Sequence, residues 1–176
     1  MSYNFTWENL EKELLALEAY GGELVLRVDV DFDIQATHIL YRVINKFNLI
    51  ATFFFRYYGP YNIFNPGIRG FIEDVMKRHT VGYHHDLKGS YAEGFGALRA
   101  ITKNGDMPHT AHNPSAIMFD EPEWTDLFVS DSNWDHWKSY NNGKIIPDDH
   151  RSPKEHIEQD NPDKIQVLIH PETWHD

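Results

Sequence analysis

Cysteine is absent from this 176-residue chain. Disulfides and thiolate metal sites are therefore excluded, and any metal must be held by His, Asp and Glu. Positive charge is scarce: 16 Lys and Arg stand against 27 Asp and Glu, a formal net charge of −11. Such a field repels phosphate backbones and anionic membranes, so nucleic acid is not an expected partner. No stretch approaches the ~20 apolar residues of a membrane span, and membrane insertion is not expected. The amino terminus, MSYNFTWENLEKELL, has no basic region followed by an apolar run; a cytoplasmic protein is the expectation. Internal repeats and low-complexity segments are missing too, and nothing in the sequence points to an oligomeric state.

What is there is a chain with 41% hydrophobic residues, 14% aromatics and 11 histidines, the size of one domain over residues 1–176. Trp7, Leu10, Leu14 and Leu17 fall at helical spacing behind a capping Thr6, which predicts a helix over 7–19 within an N-terminal segment 1–22 closed by Gly21 and Gly22. A strand over 23–32 and a helix over 36–47 follow. IATFFF (50–55) reads as a strand buried on both faces. A helix through Ile68–Met76, a short strand TVGYH and a helix over 91–103 continue the alternation, which predicts parallel strands with right-handed crossovers. Residues 104–164 read as an irregular, loop-rich section with short apolar pieces such as AIMF and LFVS, its polar run 150–163 expected to be solvated and mobile. Order returns at KIQVLIH (164–170).

The octet LRVDVDFD (26–33) poses the functional question. On a strand, Asp29, Asp31 and Asp33 point one way while Val28, Val30 and Phe32 point the other. Like charges on one strand face are unfavourable unless a cation sits above them. Asp33 has a simpler role as the cap of the helix that follows. Other predicted strands also end in polar residues, at His84-His85-Asp86 and at His170. In parallel α/β folds the carboxyl ends of the strands share one rim, where ligands bind. A divalent cation shared by these strand ends would neutralise the aspartates.

Together, RVDVDFD, ATFFFR (51–56), YNIFNP (61–66), VGYHHD (81–86), SDSNW (130–134) and LIHPETW (168–174) resemble the polysaccharide deacetylase superfamily, the NodB-type or family-four carbohydrate esterases. The branch most resembled is the one associated with surface-polysaccharide genes. The matches run in the family's order over roughly 23–174. The resemblance implies an α/β fold, a distorted and incomplete (β/α) barrel of the NodB-homology type. It also implies a metal-dependent hydrolase that removes acetyl groups from N-acetylated sugars or oligosaccharides.

Carried over to this chain, the family's first motif makes Asp29 the catalytic base and Asp31 a metal ligand, although the intervening Val30 leaves the two roles exchangeable. His84 matches the first metal histidine. The position four residues later is Lys88, which cannot ligate while protonated, so the third ligand comes from elsewhere. His112 in TAHNPS is the first choice, Asp86 the next, with His85 and His109 also open. His170 matches the terminal leucine-histidine motif and its general acid. The usual arginine-containing motif is not recognisable. Zinc is the first choice of metal, with Fe, Ni, Co or Mn as alternatives. Arg56 is placed to orient substrate or pair with Asp29, Asp131 to brace Arg56 or His170, and Trp134 and Trp174, with Tyr57, Tyr58, Tyr61, Trp124 and Trp137, to offer faces to a sugar.

The chemistry asks for these residue types. Amide hydrolysis needs a nucleophile, a polarised carbonyl and a proton for the departing amine, and a metal-bound water, a carboxylate base and an imidazole acid supply them. The expectation is a metal-dependent N-deacetylase in surface-polysaccharide metabolism. Two other readings stay open: a deformylase or amidase on another amide, and a silent carbohydrate-binding relative, which the missing second histidine and arginine motif favour.

Overall fold

The computed structural model describes residues 3–86, 91–111, 127–131, 136–141 and 144–176. Helix α1 runs Trp7–Ala19 and is capped by Thr6, whose hydroxyl accepts from the Asn9 amide. Its stripe of Leu10, Leu14 and Leu17 is buried, as the spacing requires. Strand β1 (Glu23–Val30) leads into α2 (Ile34–Ile44), where the Asp33 carboxylate accepts from the amides of Gln35 and Ala36. Strand β2 (Ala51–Arg56), α3 (Pro66–Val75), β3 (Thr80–His85) and α4 (Tyr91–Thr102) continue the alternation. Four short strands follow, β4 (His109–Ala111), β5 (Leu127–Ser130), β6 (Lys138–Asn141) and β7 (Lys144–Ile145). Helix α5 (Pro153–Asp160), β8 (Lys164–Ile169) and a 3₁₀ turn at Pro171–Thr173 complete the chain.

The strands form one eight-stranded sheet in the order β4-β3-β2-β1-β8-β5-β6-β7. The first six are parallel, whereas β6 runs antiparallel to its neighbours β5 and β7. Among the described residues the sheet is not closed, and β4 and β7 are its edges. From β1 to β4 each strand is laid beside its predecessor in the same direction. Right-handed crossovers then stack α2, α3 and α4 on one face, and consecutive helices pack against one another. Leu26, Val28 and Val30 on β1, Phe53 and Phe55 on β2, and Ile165, Val167 and Ile169 on β8 fill the layer beneath them.

The opposite face is different in kind. Reading across the register, it carries Arg27, Thr52 and Leu168 in one row, Asp29, Phe54 and Gly82 in the next, and Arg56, His84 and Thr110 in a third. All but Thr52 are buried. One face is thus an apolar core and the other a polar interior, which places the strand-end acids of β1 away from the helices.

The section expected to be irregular holds more structure than its composition indicates. Residues 150–163, expected to be solvated and mobile, contain α5. Ser152 and Glu155 form a capping box and Pro153 occupies the first turn. The buried Glu13 carboxylate accepts from the Lys154 amide and from Tyr3 Oη, tying the start of α5 to α1. His156 is fully buried; its Nε2 lies 2.8 Å from Ser139 Oγ and its Nδ1 3.3 Å from Asp160. This is the order of a Ser–His–Asp relay, but Ser139 has no exposed surface, so an acyl donor has no route to its hydroxyl. The chain of bonds pins α5 to β6. The helix stands on caps and these few buried contacts, and Ser152→Ala is expected to cost about 1 kcal/mol, read as a lower denaturation midpoint at unchanged slope.

Candidate active site

The rim at the carboxyl ends of β1, β2, β3 and β8 collects most of the polar residues singled out in the sequence. His84 leaves β3 toward the β1 acids. Its Nε2 lies 3.1 Å from Asp31 Oδ1 and 3.4 Å from Asp29 Oδ2, and all three side chains are buried. Donors bound at ~2.1 Å to one ion sit roughly 3.0–3.4 Å apart, so the spacing of Asp31 and His84 fits two ligands of a single divalent cation. Among the described residues no set of three or more His, Asp or Glu side chains is arranged to hold a metal ion. His112, the expected third ligand, lies outside the described residues, as do Trp134, Trp124 and Lys88.

Asp29 has a partner that sequence reasoning missed. Arg27, two residues earlier on the same strand face, closes a bidentate pair, with Nε and Nη2 each 2.7 Å from one carboxylate oxygen. Its guanidinium lies 5.3 Å from the centre of the Phe54 ring. Burial pushes the Asp29 pKa up, but Arg27 and then His84 outweigh it and hold the carboxyl below its ordinary value. The signal was in the alternation, since any residue at i−2 of a strand carboxylate shares its face.

Arg56, one candidate partner for Asp29, is engaged elsewhere. Its Nη2 donates to Asp86 Oδ1 at 2.6 Å and its Nη1 reaches the Asp31 carbonyl at 3.4 Å. Phe32, half exposed at the end of β1, stacks 5.5 Å from the Arg56 guanidinium. Asp86, another candidate ligand, is thus held by an arginine, while His85 points to the helix face of the sheet beside Tyr83 and Tyr91. Tyr61 is buried, donating to the Val30 carbonyl and accepting from the Arg56 amide. Trp137 and Trp174 lie in the core, and Tyr57 and Tyr58 both donate to Glu93.

His170 follows Ile169, whose register partner is Val28; it therefore stands next to Asp29 across the β1–β8 seam. Asp131, wholly buried at the end of β5, accepts from the His170 amide at 3.0 Å, lies 2.7 Å from His170 Nδ1 and accepts from Trp174 Nε1 at 2.7 Å. It braces His170 rather than Arg56, and it gives Trp174 a supporting role. Burial lowers the His170 pKa, but the Asp131 charge and hydrogen bond, helped by Asp29 and Asp31, carry it up to about 9.

Glu172, in the turn after His170, was not singled out in the sequence. Its Oε2 is buried without a hydrogen-bond partner among the described residues. Burial pushes its pKa up to about 7, with Asp31 and Asp131 adding to the rise and His170 opposing it. Its one sequence signal is a carboxylate two residues beyond a strand-end histidine.

No family model matches the chain, and no curated protein or solved structure matches it significantly. Within the described residues no helix is long and apolar enough to cross a membrane.

The His170–Asp131 pair makes a pH prediction. A histidine whose folded pKa lies near 9, above the ordinary value of about 6.5, contributes stability that is complete below about pH 6.5. That contribution is lost as pH rises through about 9. NMR of metal-free protein should show the His170 imidazole titrating near 9, and Asp131→Asn should bring that titration down by at least one unit.

Proposed function

We propose that this protein is a metal-dependent N-deacetylase acting on an N-acetylated sugar or oligosaccharide in surface-polysaccharide metabolism, with a distorted, incomplete barrel of the NodB type. The observation that carries the reading is the meeting of Asp29, Asp31 and His84 within 3.4 Å, with His170 across the seam from Asp29. An open, mostly parallel sheet with α2, α3 and α4 on one face and charged groups on the other is compatible with that barrel.

Each group then has a task. Asp29, kept ionised by Arg27, takes the proton of the attacking water. His170, kept protonated by Asp131, donates to the departing nitrogen as the carbon–nitrogen bond breaks, so that acetate and a free amine leave. Asp31 and His84 would hold the divalent ion, zinc by preference, with His112, singled out in the sequence, as the third ligand; bound there, the ion would lower the pKa of a water and polarise the acetamide carbonyl. Arg56 and Phe32 lie at the rim, where a sugar ring would approach.

A second reading, a silent carbohydrate-binding relative, draws support from the Arg27 fork, which occupies both Asp29 oxygens. Substitution separates the two. Incubated with N-acetylated amino sugars and their oligomers, the protein should release acetate. Chelators should abolish that release and zinc restore it. Asp31→Ala and His84→Ala should lose activity together with the ion held at this rim, whereas Asp29→Asn should keep that ion and lose ~10²–10⁴ in kcat. Full metal occupancy with no hydrolysis of any acetamido sugar would leave the binding reading standing, and release only from formylated or non-sugar amides would move the assignment to another amidase.

A further inference from the structure

His84 and His85 are consecutive on β3 and face opposite sides of the sheet. The helix side, where His85 points, holds a second histidine cluster that takes no part in the site above. Strand β4 lies beside β3 with His109 level with Tyr83 and Ala111 level with His85. His85 and His109 therefore stand diagonally on one face, with ring centres 5.8 Å apart and planes inclined at 52°. His85 is only 6% exposed. Tyr91, at the start of α4, sets its ring against both imidazoles, 5.4 Å from His85 and 5.1 Å from His109.

Each imidazole leaves one ring nitrogen buried with no hydrogen-bond partner among the described residues: Nε2 of His85 and Nδ1 of His109. A buried donor or acceptor without a partner forfeits its hydration and receives nothing in return. Two such nitrogens on neighbouring rings, walled by aromatic side chains, are an unusual coincidence for simple packing. Two imidazoles bound to one zinc ion have ring centres roughly 5–6 Å apart, and the observed separation falls in that range.

We infer that His85 and His109 form a second metal site, on the helix side of the sheet, for a borderline transition-metal ion such as zinc or nickel. Two imidazoles with no carboxylate select such ions over magnesium and calcium, which require oxygen ligands; water completes the coordination. The ion would clamp β4, a three-residue edge strand, to the interior strand β3, so its role is to secure that edge. Ligation here is independent of Asp31 and His84, whose side chains lie on the other face.

The test uses the full chain and zinc alone. Protein carrying Asp31→Asn and His84→Gln, dialysed against zinc at neutral pH and analysed for metal, should retain one equivalent. Adding His109→Phe, which keeps a ring among the aromatics, should reduce it to none. Zinc at 100-fold its Kd should raise the Tm of the first protein by about 5–10 °C and leave the second unmoved. Metal-free His109→Phe should melt no lower than its parent, since a carbon replaces an unpaired nitrogen. Uptake that survives His109→Phe, no uptake by the Asp31→Asn/His84→Gln protein, or a marked loss of metal-free Tm would each overturn the inference. The first two results leave the deacetylase reading untouched, because they concern a protein from which its ligands have been removed.

Discussion

The constraint on which the rest depends is that an ionised acid buried at the strand ends must be paired. Asp29 and Asp31 share one face of β1, and Asp86 and Asp131 approach the same rim from β3 and β5. An ionised carboxylate in such surroundings is tolerated only when paired and hydrogen-bonded. The structure gives each acid a partner: Arg27 forks onto Asp29, Arg56 reaches Asp86, His170 meets Asp131, and the His84 imidazole lies against Asp31. Removing one member leaves its partner charged and buried, so the network is as much a condition of folding as of chemistry.

The winding of the chain decides where this network lies. Because β1 to β4 advance in one direction, the helices share one face and the core beneath them takes the Val, Ile, Leu and Phe of alternate strand positions. The intervening positions are turned to the opposite face and are free to be polar. Arg27 among Val25, Leu26 and Val28 is then a sheet residue whose side chain faces a polar interior. The same alternation sends His84 to the acids and His85 to the helices, so that two adjacent imidazoles serve two unrelated environments.

Legibility of the fold followed the strength of local signals. The first helix, from Trp7 to Ala19, was readable residue for residue because its leucine stripe and Thr6 cap agree. The cap at Asp33 and the strands at 51–56 and 164–169 were readable for similar reasons. The Ser152–Glu155 capping box and the leading Pro153 were equally local but sat in a segment too polar to look ordered. Its helix is secured by contacts with Glu13 and Ser139, which come from far along the chain. The short strands β4 to β7, of two to four residues, carry too little periodicity to announce themselves; neighbouring strands hold them in place.

Local order thus determined much by itself. It set the alternation of strands and helices, the polar ends of β1, β3 and β8, the absence of thiolate chemistry, and the acidic field that disfavours nucleic acid. It did not determine the pairings. Arg27, two residues away on the same strand, holds Asp29 while Arg56 is drawn to Asp86, Asp131 braces His170 from 39 positions earlier, and His84 on β3 meets Asp31 on β1, the last two only because strands in fixed register bring distant residues to neighbouring sites. Sequence specifies which face a strand residue occupies through a period of two, but which residue stands opposite depends on strand order and register, and those are settled only when the sheet assembles.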